Sequence, residues 1–201
     1  MTWLWFGLGG LVACQSDDGM TTGETGEETT LPEGVFLVDM ETTTGPVVLE
    51  IHEDWAPLGA ARFRELVESG FYDGARFFRV VPDFVVQWGL PADPAVNAKW
   101  TEPILDDPVI ESNVARTITF AATALPNSRT TQVFINYGDN SSLDDQGFAP
   151  FGRVAEGMRN VRSINAEYGQ DPDQTRIRNE GNAYLDAEFP NLDGIVSATV
   201  R

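Results

Sequence analysis

The sequence predicts a mainly β domain, an antiparallel barrel or sandwich plugged by helices. Three observations carry this reading. Several short segments alternate apolar and polar residues or are rich in β-branched side chains. The connections between them draw on 19 Gly and 12 Pro in 201 residues. No strand-helix-strand alternation, the signature of a parallel sheet, is present.

The elements follow in order from Val35. Val35-Phe36-Leu37-Val38 and Val47-Val48-Leu49-Glu50-Ile51 read as two strands, with Thr43-Thr44-Gly45-Pro46 as the turn of a hairpin. A helix follows, started by Asp54 and Pro57, given an apolar face by Ala61, Phe63, Leu66 and Val67, and stopped at Gly70. Phe77 to Gln87, Thr117 to Ala121, Gln132 to Asn136 and Ile195 to Val200 read as further strands. Arg159 to Ala166, with Val161 and Ile164 three apart, reads as a second helix after a turn at Glu156-Gly157. No internal repeat is found.

The region before Val35 has a different character. Residues 3 to 13 are an apolar run of signal-sequence length that ends at Cys14, the single cysteine. The run is too short to cross a bilayer, which takes about 20 residues. Residues 15 to 34 hold six acids and no base among Gln, Ser, Gly and Thr, a composition that cannot bury enough apolar area to offset chain entropy. The expected organisation is therefore a leader over 1–14, a disordered acidic linker over 15–34 and one folded domain over 35–201. Leu11-Val12-Ala13-Cys14 resembles the lipobox of bacterial lipoproteins, which implies lipid on the Cys14 thiol after cleavage. The first Lys or Arg is Arg62, so the leader lacks the usual positive opening, through an atypical start or a start upstream of Met1. The expected location is the bacterial envelope, periplasmic or anchored to the outer membrane, with secretion as the alternative.

Charge and composition exclude several functions. Thirteen Lys and Arg against 31 Asp and Glu give a net charge of -18, which repels polyphosphate, so nucleic acid is not an expected partner. The only His is His52, read as a solvated strand-end residue, and the only Cys lies in the leader, so neither a nucleophile-His pair nor a tetrahedral zinc site is provided for. Asp106-Asp107 and Asp144-Asp145 lack calcium-loop spacing and read as turn acids. No metal or cofactor is expected.

One residue stands out. Arg79 lies among Phe77, Phe78, Val80 and Val81. An Arg in an apolar strand either extends its head to solvent, pairs with a carboxylate or faces a cleft.

At this point the chain resembles the cyclophilins. Phe77, Arg79, Val80, Pro82, Phe84, Gln87 and Gly89 match the family's central Phe-x-Arg-Val-x-Pro-x-Phe-x-x-Gln-x-Gly string. Pro126 to Asn136, with Gln132-Val133-Phe134-Ile135, resembles its loop and strand ending in Gln-Phe-Phe-Ile. Leu143-Asp144 followed by Phe151-Gly152-Arg153-Val154-Ala155-Glu156-Gly157-Met158 resembles its Leu-Asp…Phe-Gly-x-Val-x-x-Gly-Met segment. Ala56-Pro57 before Ala60-Ala61-Arg62-Phe63, and Gly70-Phe71-Tyr72-Asp73-Gly74, resemble its first helix and the turn after it.

The resemblance implies an eight-stranded antiparallel β-barrel capped by two α-helices, and isomerisation of the bond before proline. It implies Arg79 as the catalytic group. Phe84, Val85, Phe134, Leu143 and Phe148 would form a slot for the proline ring, with Gln87, Gln132 and the backbone of Ala121 binding the peptide. The implied partners are proline-containing peptides and folding protein clients, met by a monomer whose only membrane contact is lipid at Cys14. The rival reading is a peptide-binding adaptor or chaperone of the same fold with weak or no isomerase activity. Departures from the family pattern are Phe78 for a frequent His, Arg116 for Gly, a link at 122–125 longer by one residue, Ser142 for Trp, Val85 for Met and Phe148 for His.

Overall fold

Alternation in the sequence becomes alternation across one sheet. In the computed structural model, which describes residues 31–97 and 99–201, β1 (Val35–Thr42) and β2 (Gly45–His52) pair antiparallel from Val35 opposite His52 to Thr42 opposite Gly45. The turn is only Thr43 and Thr44, tightened by Thr42 Oγ1 donating to Gly45 O over 2.6 Å. Cys14 and the leader lie outside the described residues. The end of the expected linker is already part of the fold, because Val35 N donates to Pro32 O at 3.1 Å and Glu53 N to Gly34 O at 2.8 Å.

Helix α1 (Pro57–Glu68) buries Ala60, Phe63, Leu66 and Val67, the apolar face expected apart from Ala61, which turns outward. Its start differs. Pro57 holds the first helical position, where its missing N–H costs nothing, but Asp54 does not cap the helix. The N–H groups of Leu58 and Gly59 donate instead to the two oxygens of Asp107, at 3.1 and 2.9 Å. Asp107 is paired with Arg129 at 3.0 Å, and both side chains are at most 3% exposed. Asp107 is thus a buried cap supplied from a remote loop, not a turn acid.

The expected strand from Phe77 to Gln87 is two strands, β3 (Arg79–Val81) and β4 (Val85–Trp88), folded back as a hairpin. The break falls at Pro82, which has no N–H to give a ladder, and Asp83, which takes φ +62°. A short α2 (Pro94–Asn97), β5 (Thr117–Phe120), β6 (Val133–Asn136), a 3-10 helix at Ser141–Gln146 and β7 (Pro150–Glu156) follow. β7 shows no alternation in the sequence, because its first three residues, Pro150, Phe151 and Gly152, are all buried and two of them are Pro and Gly.

The expected second helix is a single turn, α3 (Met158–Arg162), ending at Ser163. After it come two helices the periodicity did not predict, α4 (Gln174–Glu180) and α5 (Asn182–Glu188), then β8 (Ile195–Val200). Each is seven residues long and they meet at Gly181, too short a run for a 3.6-residue period to show. They cover a second apolar cluster of Phe78, Leu90, Ile177, Tyr184, Leu185 and Leu192.

The eight strands form one curled antiparallel sheet in the order β3-β4-β6-β5-β7-β2-β1-β8. Its two edges approach each other beyond the strand ends. Arg76 bridges Gly194, and Phe77 N donates to Asp193 O at 3.0 Å. The enclosed core includes Val38, Leu49, Ile51, Phe63, Trp88, Ile118, Phe120, Ile135 and Phe151.

Candidate active site

The residues singled out by sequence meet on the side of the sheet opposite this core. Val80, Val86, Trp88, Val133, Ile135, Ile118 and Phe120 face the core. Because successive side chains alternate, Arg79, Val85, Gln87 and Phe134 fall on the other face. The register aligns three of them. Arg79 is the cross-strand partner of Gln87, and Gln87 of Phe134, so they form a row across β3, β4 and β6.

A cavity of about 200 Å³ lies along this row, lined by Arg79, Phe84, Val85, Gln87, Ala121, Ala122, Phe134, Leu143 and Phe148. It is walled by rings, with Phe134 and Phe148 edge to face at 5.9 Å, and it is the size of a small apolar ring. All the residues expected to contact the peptide, except Gln132, line it. Gln132 lines the adjoining pocket of about 210 Å³ with Gln87, Ala121 and Ala122.

The polar side of the cavity is a chain of hydrogen bonds. Arg79 Nη1 donates to Gln87 Oε1 at 3.1 Å, and Gln87 Nε2 donates to Gln132 Oε1 at 2.8 Å. Arg79 Nε reaches Gln170 Oε1 at 3.4 Å, and its guanidinium stands 5.6 Å from the Phe84 ring. Burial lowers the Arg79 pKa from its usual value, yet a guanidinium stays charged in any ordinary buffer. Ala121 N donates to Gln132 O at 2.8 Å, so the group it can offer a peptide is its carbonyl.

The walls are positioned by buried amides that sequence reasoning missed. Asn140 Nδ2 donates to Phe84 O at 2.9 Å and to Asn136 Oδ1 at 2.7 Å. Asn113 Nδ2 donates to Phe148 O and to Asp144 Oδ1, both at 2.7 Å. Ser112 Oγ and Asn113 N also donate to Asp144, at 2.5 and 2.9 Å. Burial by itself raises the Asp144 pKa, and these bonds outweigh it, holding the carboxyl below its usual value. Asp144 therefore fastens the 3-10 helix that carries Leu143, a role its reading as a turn acid did not include. Loop Asn residues are common, and nothing local in the sequence distinguishes these two.

One family departure and one family match acquire a reason. Phe78 packs into the second apolar cluster under α4 and α5. Gly89 has φ +108°, and a Cβ there would overlap Thr131 O, so no other residue fits. His52, expected to be solvated, is stacked on Trp55 at 4.0 Å and lies 2.6 Å from Glu50. It does not line the cavity. Among the described residues no group of three or more His, Cys, Asp or Glu is placed to hold a metal ion.

A family profile described as cyclophilin type peptidyl-prolyl cis-trans isomerase/CLD matches residues 37–182. A peptidyl-prolyl cis-trans isomerase of Acinetobacter baylyi is 35% identical over 133 residues, covering 64% of this chain and 71% of that protein. Peptidyl-prolyl cis-trans isomerase A of Dickeya dadantii is 37% identical over 133 residues, covering 63% and 69%. Among solved structures, a Cryptosporidium parvum cyclophilin type isomerase superposes with a TM-score of 0.63 at 19% identity, covering 83% of this chain and 98% of that one. The same protein solved in the presence of the dipeptide Ala-Pro gives 0.62, covering 82% and 98%.

Proposed function

The chain belongs to the cyclophilin type peptidyl-prolyl cis-trans isomerase family, and from that premise we propose that it rotates X-Pro bonds of client peptides, with Arg79 as the catalytic residue. The observation that carries this is a charged guanidinium held by Gln87 at the edge of an aromatic cavity sized for a proline ring.

The barrier is amide resonance, roughly 18–20 kcal/mol, and needs no nucleophile to cross. Spontaneous rotation takes tens of seconds or more. A turnover on the order of 10³ per second therefore requires removal of about 6–7 kcal/mol, at 1.36 per decade. In the twisted state the proline nitrogen regains a lone pair that resonance otherwise delocalises. A guanidinium directed at that nitrogen binds the twisted state better than either planar one, which is the condition for catalysis.

The apolar walls hold the ring while the preceding carbonyl turns. Phe84, Phe134, Leu143 and Phe148 supply them, and the fixed backbones of Phe84 and Phe148 keep them in place. The Ala121 carbonyl and Gln132 anchor the peptide chain so that one side stays still.

The client-handling site is proposed to work in the bacterial envelope, tethered by lipid at Cys14. The support is the Leu-Val-Ala-Cys sequence at the junction between the apolar run and the acidic linker. The decisive assay for the isomerase reading is NMR exchange between cis and trans forms of a short Ala-Pro peptide with the full-length protein. Acceleration at catalytic protein concentrations is expected. Binding without acceleration would favour the adaptor reading.

A further inference from the structure

We propose that Arg178 makes the pocket beside the proline cavity a subsite for an acidic side chain, so that the preferred substrate carries Asp or Glu two residues from the isomerised proline. This rests on the isomerase reading above and extends it to substrate class.

The pocket is lined by Gln87, Ala121, Ala122, Thr123, Ser128, Thr130, Gln132, Gln174 and Arg178. It shares Gln87, Ala121 and Ala122 with the proline cavity, so the two are neighbours along one peptide path. An extended peptide points alternate side chains the same way, so a ring in the first pocket directs the residue two positions away into the second. Arg178 is the only charged group in the lining. The rest are neutral hydrogen-bonding or small residues.

Arg178 comes from the part of the fold that periodicity did not reveal. Gln174 and Arg178 are four apart on α4 and so share a face. The helix presenting them is firmly held. Asp173 Oδ1 accepts from Thr175 N and Arg176 N at 2.7 and 3.0 Å, and Ile177 is buried in the second cluster. Arg176, on another face, is consumed by Glu180 and Glu188 at 2.9 and 2.6 Å and by the Tyr184 ring at 3.8 Å. Arg178 is exposed, and among the described residues it has no carboxylate within 4.0 Å. In a chain with 31 acids and 13 basic residues, a cation left without an acid beside a substrate pocket is free to pair with an acidic group of the ligand.

The test is an NMR titration and exchange measurement on the full-length protein at about 0.15 M salt, where charges beyond roughly 8 Å are screened. The peptides place Glu, Ala or Lys two residues before the proline, and a second set two residues after it. An exposed ion pair contributes only modestly, so in one of the two sets Glu is expected to bind about three-fold better than Lys. Arg178→Gln should bring that ratio close to one, and Arg178→Glu should invert it. Equal binding of Glu and Lys peptides in both sets, or a Glu preference that survives Arg178→Gln, overturns the proposal. Exchange rates separate this from the underlying reading. If the Ala peptides are isomerised but charge is ignored, only the subsite falls. If no peptide is isomerised while the Glu preference in binding depends on Arg178, the isomerase reading falls and the subsite stands.

Discussion

Arg79 and Gln87 are direct cross-strand partners on β3 and β4, and the Arg79 guanidinium donates to Gln87 Oε1 over 3.1 Å. Gln87 Nε2 is simultaneously engaged with Gln132. The carbonyl oxygen and one amide proton of Gln87, a residue expected to bind substrate, are thus engaged within the protein, in a position to aim the guanidinium.

If that is so, Gln87→Leu should lower kcat/KM by about ten-fold, the lower end of what a hydrogen bond to a charged group is worth, at about 1.5–3 kcal/mol. In an Arg79→Ala background the same change should have little further effect. A double-mutant cycle on kcat/KM checks it, and additive losses would contradict the aiming role.

Arg79→Ala should reduce kcat/KM by roughly 10²–10³, or about 2.7–4 kcal/mol, the usual effect of removing one preorganised donor. Arg79→Lys should recover only part, because an ammonium lacks the planar fork that reaches both Gln87 and the substrate. Melting temperature measured on the same samples should move little. Unchanged turnover in folded Arg79→Ala would leave the adaptor reading in place.

Activity should be nearly flat from pH 6 to 8, since no group lining the cavity titrates there. Loss should begin on the acid side. Asp144 has a native pKa below its usual value, so its contribution to stability is complete above about pH 4, the unfolded value. It fades as pH falls through the depressed native one. Amide exchange at Leu143 and Phe148 should speed up over that range in the natural protein, and Asp144→Asn should remove the pH dependence. A bell-shaped activity profile centred near neutrality would contradict the guanidinium mechanism.

Asp107→Ala should destabilise the fold by about 3–5 kcal/mol. It leaves the buried Arg129 charge with only the longer contact to Asp106 at 3.5 Å, and two N–H groups of α1 without acceptors. Chemical denaturation measures this directly. By contrast Asp54→Ala, at the residue that looked like the helix cap, should change stability by less than about 0.5 kcal/mol.

Cys14→Ser, expressed in a bacterial host, should appear in the soluble fraction or remain as an unprocessed precursor. Fractionation and mass measurement of the mature N-terminus report it. Equal membrane retention and identical processing of both forms would remove the lipid anchor from the proposal.

The sequence by itself determined the antiparallel β character, most of the strands and the first helix, which rest on local physics: period-two alternation and turn residues. The residues around the cavity were legible in another way, through short motifs that resemble those of a known family. Gln132 also belonged to the predicted set, but its place beside the cavity, not in it, depends on the pairing of β5 with β6. The α1 cap at Asp107, the amides at Asn113 and Asn140 and the face of α4 that carries Arg178 were decided only by the tertiary structure. A capping carboxylate 49 residues from the N–H it serves, or a helix of seven residues held by a distant Phe78, has no local signature. Its stability comes from contacts that exist only once the chain has closed on itself.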